Sequence, residues 1–281
     1  MIECTSAIFS AIGTALIGYF SGWFGSAADI WKIVLTLVGL FVAVVALIFL
    51  AALVIHLTID VNKPVKRPSA FHTFVFNCFI SMIDRFFRIR LYVDGGERIP
   101  DAPCVFIMNH RSNFDPILLA DRYKKKHILM ISKPANFKKP IAGGFIHKAG
   151  YMAIDREDDR KALKTVLKAI GYLGEGYSIG IYPEGTRNKK DVSLLPFKHG
   201  SFKIAMRAKV PTVITAIHET QKIHKNFPLK GTRVYLHVID VLYPEDYEGK
   251  TSGDISDYAA DVMKKDIDAF ESGKRSAAAG G

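Results

Sequence analysis

An imidazole and a carboxylate stand five positions apart in the run Asn109-His110-Arg111-Ser112-Asn113-Phe114-Asp115-Pro116. An imidazole that titrates near pH 6.5 suits proton abstraction close to neutrality, and a carboxylate bonded to its other ring nitrogen fixes the tautomer and stabilises the imidazolium. Five residues of separation put His110 and Asp115 on different faces of a helix and on opposite faces of a strand, so they meet only across a turn. Asp115-Pro116 supplies one, because Asp at a helix N-cap and Pro at the first helical position are strong start signals. Taken alone, the pair reads equally well as a cap and a loop histidine. A second group raises its weight: the apolar run Ser178 to Tyr182 ends in Pro183-Glu184-Gly185-Thr186-Arg187. A strand end followed by Gly and by an Arg, whose planar fork suits phosphate, is where an α/β sheet holds an anionic ligand.

Short apolar, β-branched runs must carry these residues. They are Ile89 to Val93, Cys104 to Met108, His127 to Ile131, Tyr151 to Ile154, Ser178 to Tyr182, Thr212 to Ile217 and Val234 to Ile239, and each reads as a strand. Helical patterns lie between several of them, at Pro116 to Tyr123, Pro140 to Lys148, Asp158 to Leu173 and Phe197 to Arg207, and Asp254 to Phe270 follows the last strand. Alternation of this kind predicts an α/β domain whose central, mostly parallel sheet is flanked by helices.

The N-terminus is different in kind. The chain has 281 residues and net charge +11, yet residues 1 to 62 hold only Lys32 against Glu3, Asp29 and Asp60, so the basic excess falls entirely on the remainder. Ile33 to Ile59 is uncharged and would reach roughly 40 Å as a helix, enough to span a bilayer. Thr5 to Ala28 is also uncharged; it is interrupted by four glycines and reads as a second membrane helix, with Gly18 and Gly22 at a spacing that lets helices approach closely. Lys63, Lys66 and Arg67 follow the long span, and this basic flank places the rest of the chain on the cytoplasmic side of the membrane. Phe71 to Arg90, aromatic and basic, suits either a helix along the membrane surface or a core helix. The expected organisation is membrane-anchoring helices over 1–62, a cytoplasmic domain over 63–273 and a flexible tail over 274–281.

Several chemistries are excluded. Gly249-Lys250-Thr251 lacks the leading Gly of a phosphate loop, since position 244 is Pro, and His218-Glu219 lacks the second His of a zinc-protease motif, since position 222 is Lys. Cys4, Cys78 and Cys104 form no pair of ligand spacing and read as thiols in a reducing compartment. Arg122 to Ile154 holds eight Lys or Arg and no acid. Beside a membrane anchor, that charge suits a bilayer with anionic lipids rather than nucleic acid.

In these blocks the sequence resembles the glycerolipid acyltransferase family, specifically the 1-acylglycerol-3-phosphate acyltransferases. Asn109 to Asp115 looks like its first motif, Gly150 to Arg156 like its second, Pro183 to Arg187 like its third and Val210-Pro211 with the following strand like its fourth, in the family's order; Phe197 to Gly200 also fits. One departure is Ala135, where the family usually has an acidic residue two positions after the lysine that is Lys133 here. The resemblance implies transfer of an acyl group from an acyl-coenzyme A or acyl carrier protein thioester to the free hydroxyl of lysophosphatidic acid, giving phosphatidic acid; the alternatives are another lysophospholipid or polyol acceptor, or a non-catalytic lipid-binding protein. It implies His110 and Asp115 as the catalytic pair. Arg187 and Arg156 would hold the acceptor phosphate, with Glu184, Gly185, Thr186, Lys198, Lys133, Asn109, Arg111 and Ser112 lining the substrate site. Neither a cofactor nor a metal is expected. Because a thioester is already activated, neither Ser112 nor Cys104 needs to be a nucleophile.

Overall fold

All seven apolar runs form strands, and they join one seven-stranded sheet in the order β1-β7-β6-β2-β5-β3-β4. The computed structural model describes residues 2–155, 158–190 and 192–279. In chain order the helices and strands are α1 (Ile2–Phe20), α2 (Ile30–Leu57), α3 (Ala70–Phe86), β1 (Ile89–Asp94), β2 (Val105–Met108), α4 (Asp115–Arg122), β3 (Ile128–Ser132) and α5 (Ala142–Lys148). There follow β4 (Met152–Ala153), α6 (Asp159–Gly174), β5 (Ser178–Ile181), α7 (Lys203–Ala208), β6 (Thr212–His218), α8 (Ile223–Asn226), β7 (Thr232–Leu242) and α9 (Ser252–Ala279). The chain folds as two units, Met1–Ile83 with Ala135–Ala149, and Asp84–Pro134 with Gly150–Gly281.

The second unit is an α/β domain. Every strand pairing is parallel except that of β6 with β7, so the ends of β2, β3, β4, β5 and β6 leave the sheet along one edge. Burial on both faces explains why β2 and β5 are continuous apolar runs instead of alternating ones. Val105, Ile107, Ile179 and Ile181 point into a core shared with Tyr172 and Leu173 of α6, Ile204 of α7 and Ala259, Met263 and Ile267 of α9. Phe106 points to the other face and stacks on Tyr123 just past α4. The helix expected over Phe197 to Arg207 is shorter than its pattern: a 3-10 turn occupies His199–Ser201, at Gly200, and only Lys203–Ala208 is α-helical.

In the first unit, α1 and α2 are both long and apolar enough to cross a membrane. Val34, Leu35, Val38, Val42, Leu47, Leu50 and Val54 of α2 are all exposed. The buried stripe of α1 is small and polar instead: Ser6, Ser10, Thr14 and Gly18 recur every fourth residue. Gly13 lets α1 approach α2 closely, since a Cβ there would sit 3.0 Å from Leu40 Cδ1. The expected Gly18–Gly22 contact does not form. Gly22 takes a left-handed conformation that stops the helix, two 3-10 turns follow, and Gly18 is covered by the Phe24 ring. Within this unit Phe79 of α3 packs on Phe49 of α2 and on Phe145 of α5.

Gly143, the second residue of α5, stands where a side chain has no room, because a Cβ would lie 2.2 Å from the carbonyl oxygen of Phe137. Ala improves intrinsic helix propensity over Gly by about 1 kcal/mol, but a clash with backbone costs about 1–3 kcal/mol. Gly143→Ala should therefore lower thermal stability in detergent, whereas a gain would show that Phe137 moves aside freely.

Candidate active site

The register of the parallel strands brings the two chemistry-bearing turns together. Ile107 of β2 pairs with Ile181 of β5, and three residues further on come His110 and Glu184. The His110 backbone N–H donates to Glu184 Oε1 at 2.6 Å, the Leu195 N–H donates to Oε2 at 3.0 Å, and the Asn188 N–H donates to the His110 carbonyl at 2.6 Å. On the other side of β2, the Asn109 side chain grips the end of β6. Its Nδ2 donates to the Ile217 carbonyl at 3.0 Å and its Oδ1 accepts from the Ile217 N–H at 2.8 Å. Burial pushes the Glu184 carboxyl up from the usual range, and the two backbone N–H donors oppose that shift.

Asp115 is fully buried, and its Oδ2 collects three donors: His110 Nδ1 at 2.7 Å, the Arg111 N–H at 2.7 Å and the Ser112 N–H at 2.8 Å. The expected N-cap role is displaced by one residue. Phe114 occupies the cap, Asp115 is the first residue of α4, and its carboxylate reaches back into the preceding turn. A carboxylate oxygen accepts from an imidazole N–H, so this contact directs Nδ1 at Asp115 and turns Nε2 away from it. The His110 side chain is 19% exposed, and the Tyr182 ring stacks on it at 4.2 Å and 24°. Burial raises the Tyr182 hydroxyl well above its ordinary pKa, with Asp115 and Tyr151 adding to the shift. The arrangement is an imidazole held in one orientation at a strand end.

Other expected site residues divide into braces and rim. Asn109 and Ser112, expected to line the substrate site, and Glu184, expected there to orient the loop or the arginine, are buried and commit their side chains to backbone groups, Ser112 Oγ accepting from the Phe114 N–H. Arg111 donates its guanidinium to the Ser193 carbonyl at 3.3 Å. Gly185 adopts φ 73°, the left-handed turn that suits glycine, and bonds back to the Tyr182 carbonyl. Thr186, Lys198 and Lys133 are exposed, and Arg187 is half-buried with no side-chain hydrogen bond or ion pair among the described residues. Lys133 follows β3 on the same sheet edge as His110 and Arg187. Arg156 lies outside the described residues. Cys104 is buried, and burial lifts its thiol to about 11 against a hydrogen bond with Ser178, which removes it as a nucleophile near neutral pH. The N–H groups of His110, Arg111 and Ser112 are all engaged, so the turn that carries His110 has none of these three left to donate to a bound oxyanion.

Sequence reasoning did not single out Tyr182, Asn188 or Leu195. Tyr182 closes the strand before Pro183, and its parity with the buried run was the available signal; the other two act through backbone N–H groups, which residue type does not disclose.

A family model described as Acyltransferase matches residues 90–218, which contain both turns. A 1-acyl-sn-glycerol-3-phosphate acyltransferase of Haemophilus influenzae is 31% identical over 202 residues, covering 67% of this chain and 81% of that protein. The chain belongs to the 1-acylglycerol-3-phosphate acyltransferase family. A protein of the same name from Borreliella burgdorferi is 32% identical over 166 residues, 57% of this chain. The matched stretch spans 66% of that relative's length, and 38% and 52% of two chloroplastic plant relatives. The fold agrees with the crystal structure of a 1-acyl-sn-glycerophosphate acyltransferase from Thermotoga maritima, at TM-score 0.57 and 21% identity, covering 72% of this chain and 86% of that one.

The Asn109 amide is the bolt between the base-bearing turn and β6. Asn109→Ala leaves the buried N–H and C=O of Ile217 without this partner, a loss of about 1–3 kcal/mol per unsatisfied group. Unfolding in denaturant should report a destabilisation in that range, and an unchanged midpoint would show that the family member holds this turn by other means.

Proposed function

We propose that this chain transfers an acyl group from a thioester to the free hydroxyl of 1-acylglycerol-3-phosphate, forming phosphatidic acid. The observation that carries the reading is the 2.7 Å bond from His110 Nδ1 to the buried Asp115 carboxylate, which leaves Nε2 as a base, in a chain similar along 202 residues to a protein of that name. In this reading His110 Nε2 takes the proton of the acceptor hydroxyl as its oxygen attacks the thioester carbonyl, and Asp115 holds the imidazolium that forms. The proton then passes to the leaving thiolate. No acyl-enzyme is needed. Negative charge on the carbonyl oxygen is met by donors outside the turn 110–112.

Arg187 receives the acceptor phosphate, with Arg156, Lys133 and Lys198 as further cationic contacts and Gly185 and Thr186 shaping the approach. The thioester carrier is coenzyme A or acyl carrier protein. The exposed apolar side chains of α2 and the apolar α1 anchor the chain in a bilayer, with the domain beyond residue 60 on the cytoplasmic side because Lys63, Lys66 and Arg67 flank the span. Anionic lipids attract the basic stretch Arg122 to Lys148.

His110→Ala should reduce turnover by about 10²- to 10⁴-fold, the usual contribution of a general base, with secondary structure by circular dichroism unchanged. Activity within tenfold of the unmodified enzyme would remove His110 from the reaction. The assay is thioester turnover by purified protein in detergent, run with lysophosphatidic acid, other lysophospholipids and glycerol phosphate as acceptors; a preference for an acceptor lacking the phosphate would overturn the proposed substrate.

Replacing Arg187 by Lys exchanges a bidentate guanidinium contact for a point charge. The acceptor KM should rise at least several-fold with a smaller change in kcat, and an unaltered acceptor KM would direct attention to Lys198 instead.

A further inference from the structure

Away from the His110 turn, two more imidazoles converge on a carboxylate. In the antiparallel pairing of β6 with β7, Ala216 lies opposite His237. Side chains two residues apart on a strand share a face, so His218 and His237 are diagonal neighbours on the side of the sheet where Ile214 and Ala216 meet α9. From α9, Asp266 divides its two oxygens between them: His218 Nε2 lies 2.9 Å from Oδ2 and His237 Nδ1 lies 2.9 Å from Oδ1. Phe270, one helical turn further along, stacks on His218 at 4.0 Å and lies 5.6 Å from the His237 ring. His218 is 4% exposed. The donor atoms of the three residues all lie within 4.8 Å of one another.

We infer that His218, His237 and Asp266 form a binding site for a zinc-like divalent transition-metal ion. The donor chemistry selects the class of ion. Two imidazole nitrogens and one carboxylate match zinc and its late first-row neighbours, whereas calcium and magnesium take oxygen ligands. Bonds of roughly 2.0–2.2 Å in a tetrahedral shell set neighbouring donors about 3.3 Å apart. With one Asp266 oxygen as ligand, its 2.9 Å separation from the nearer imidazole nitrogen needs to open by only a few tenths of an ångström, while the other nitrogen, within 4.8 Å, draws in. Binding replaces the protons now shared between nitrogen and oxygen, so each site releases protons as it fills. Remaining coordination positions take water.

The ion would tie three elements distant in sequence, β6, β7 and α9. One residue before His218, Ile217 holds the Asn109 amide, so the staple sits at the strand end that supports the base-bearing turn. Its role is structural, and it takes no part in the proposed acyl transfer. Positions 218, 237 and 266 follow none of the short ligand spacings, which is why the sequence reading expected no metal.

The test uses the full-length protein in detergent, stripped with a chelator and titrated with Co²⁺ as a spectroscopic probe, then with Zn²⁺ as competitor. One ion per chain should bind at micromolar concentration, with visible absorption bands that Zn²⁺ abolishes. Zn²⁺ should also raise the thermal midpoint by several degrees, as expected for a ligand that binds only the folded state. His237→Gln and Asp266→Asn should each weaken binding at least tenfold. Equal affinity in the unmodified protein and both variants, or no saturable uptake, would overturn the inference and leave the cluster as a hydrogen-bonded pin. Should either variant fail to fold, X-ray absorption of the zinc-loaded unmodified protein decides the question: a shell with two imidazoles supports the site, and one without them refutes it.

Discussion

A carboxylate withdrawn fully from water sets the terms for the active edge of this domain. Burying an ionised group is costly unless it is paired and hydrogen-bonded, and Asp115 meets that condition through three donors on one oxygen. Two of those donors are consecutive backbone N–H groups, so the chain must curl tightly between residues 110 and 115. The third is the imidazole, which is thereby fixed in one orientation with its second nitrogen turned away from the carboxylate. The first turn of α4 adds a favourable field, since its N-terminal dipole faces the negative charge. Turn, helix start and base orientation are consequences of one solvation requirement.

That turn is in turn held by polar side chains that never need to meet a substrate. Glu184 accepts from the N–H groups of His110 and Leu195, and Asn109 exchanges two bonds with Ile217. Each brace crosses from one strand end to another, so the position of the His110 imidazole depends on the pairing of β2 with both β5 and β6. Residues able to meet an anion occupy the periphery. Arg187 stands half-buried without a side-chain partner among the described residues, and Lys133 and Lys198 are exposed. Hydrogen-bonded polar side chains thus lie inside, and cationic ones at the rim.

The N-terminal helices obey a different solvent. α2 leaves large aliphatic side chains exposed along its length, while α1 buries Ser6, Ser10, Thr14 and Gly18. In water that distribution would be inverted. In hydrocarbon it is expected, because association there relies on close packing of small residues instead of on burial of apolar area.

Sequence alone determined the seven strands, the α/β class and the two long apolar helices, because hydrophobic periodicity and strand or helix length are local properties. It also determined that His110 and Asp115 could meet only across a turn, because their spacing permits no other contact; that they do meet is a fact of the tertiary structure. Tertiary structure decided which polar residues are braces: nothing in the types of Asn109 or Glu184 separates a side chain that binds its own backbone from one that binds a ligand, and only the register of β2 against β5 and β6 supplies the partners. It moved the helix cap from Asp115 to Phe114, the Asp115 carboxylate being taken up by His110, Arg111 and Ser112, and replaced the Gly18–Gly22 contact by a stripe beginning at Ser6, with Gly18 covered by Phe24. The cluster of His218, His237 and Asp266 was invisible because its three residues become neighbours only when β7 turns back along β6 and α9 packs across them.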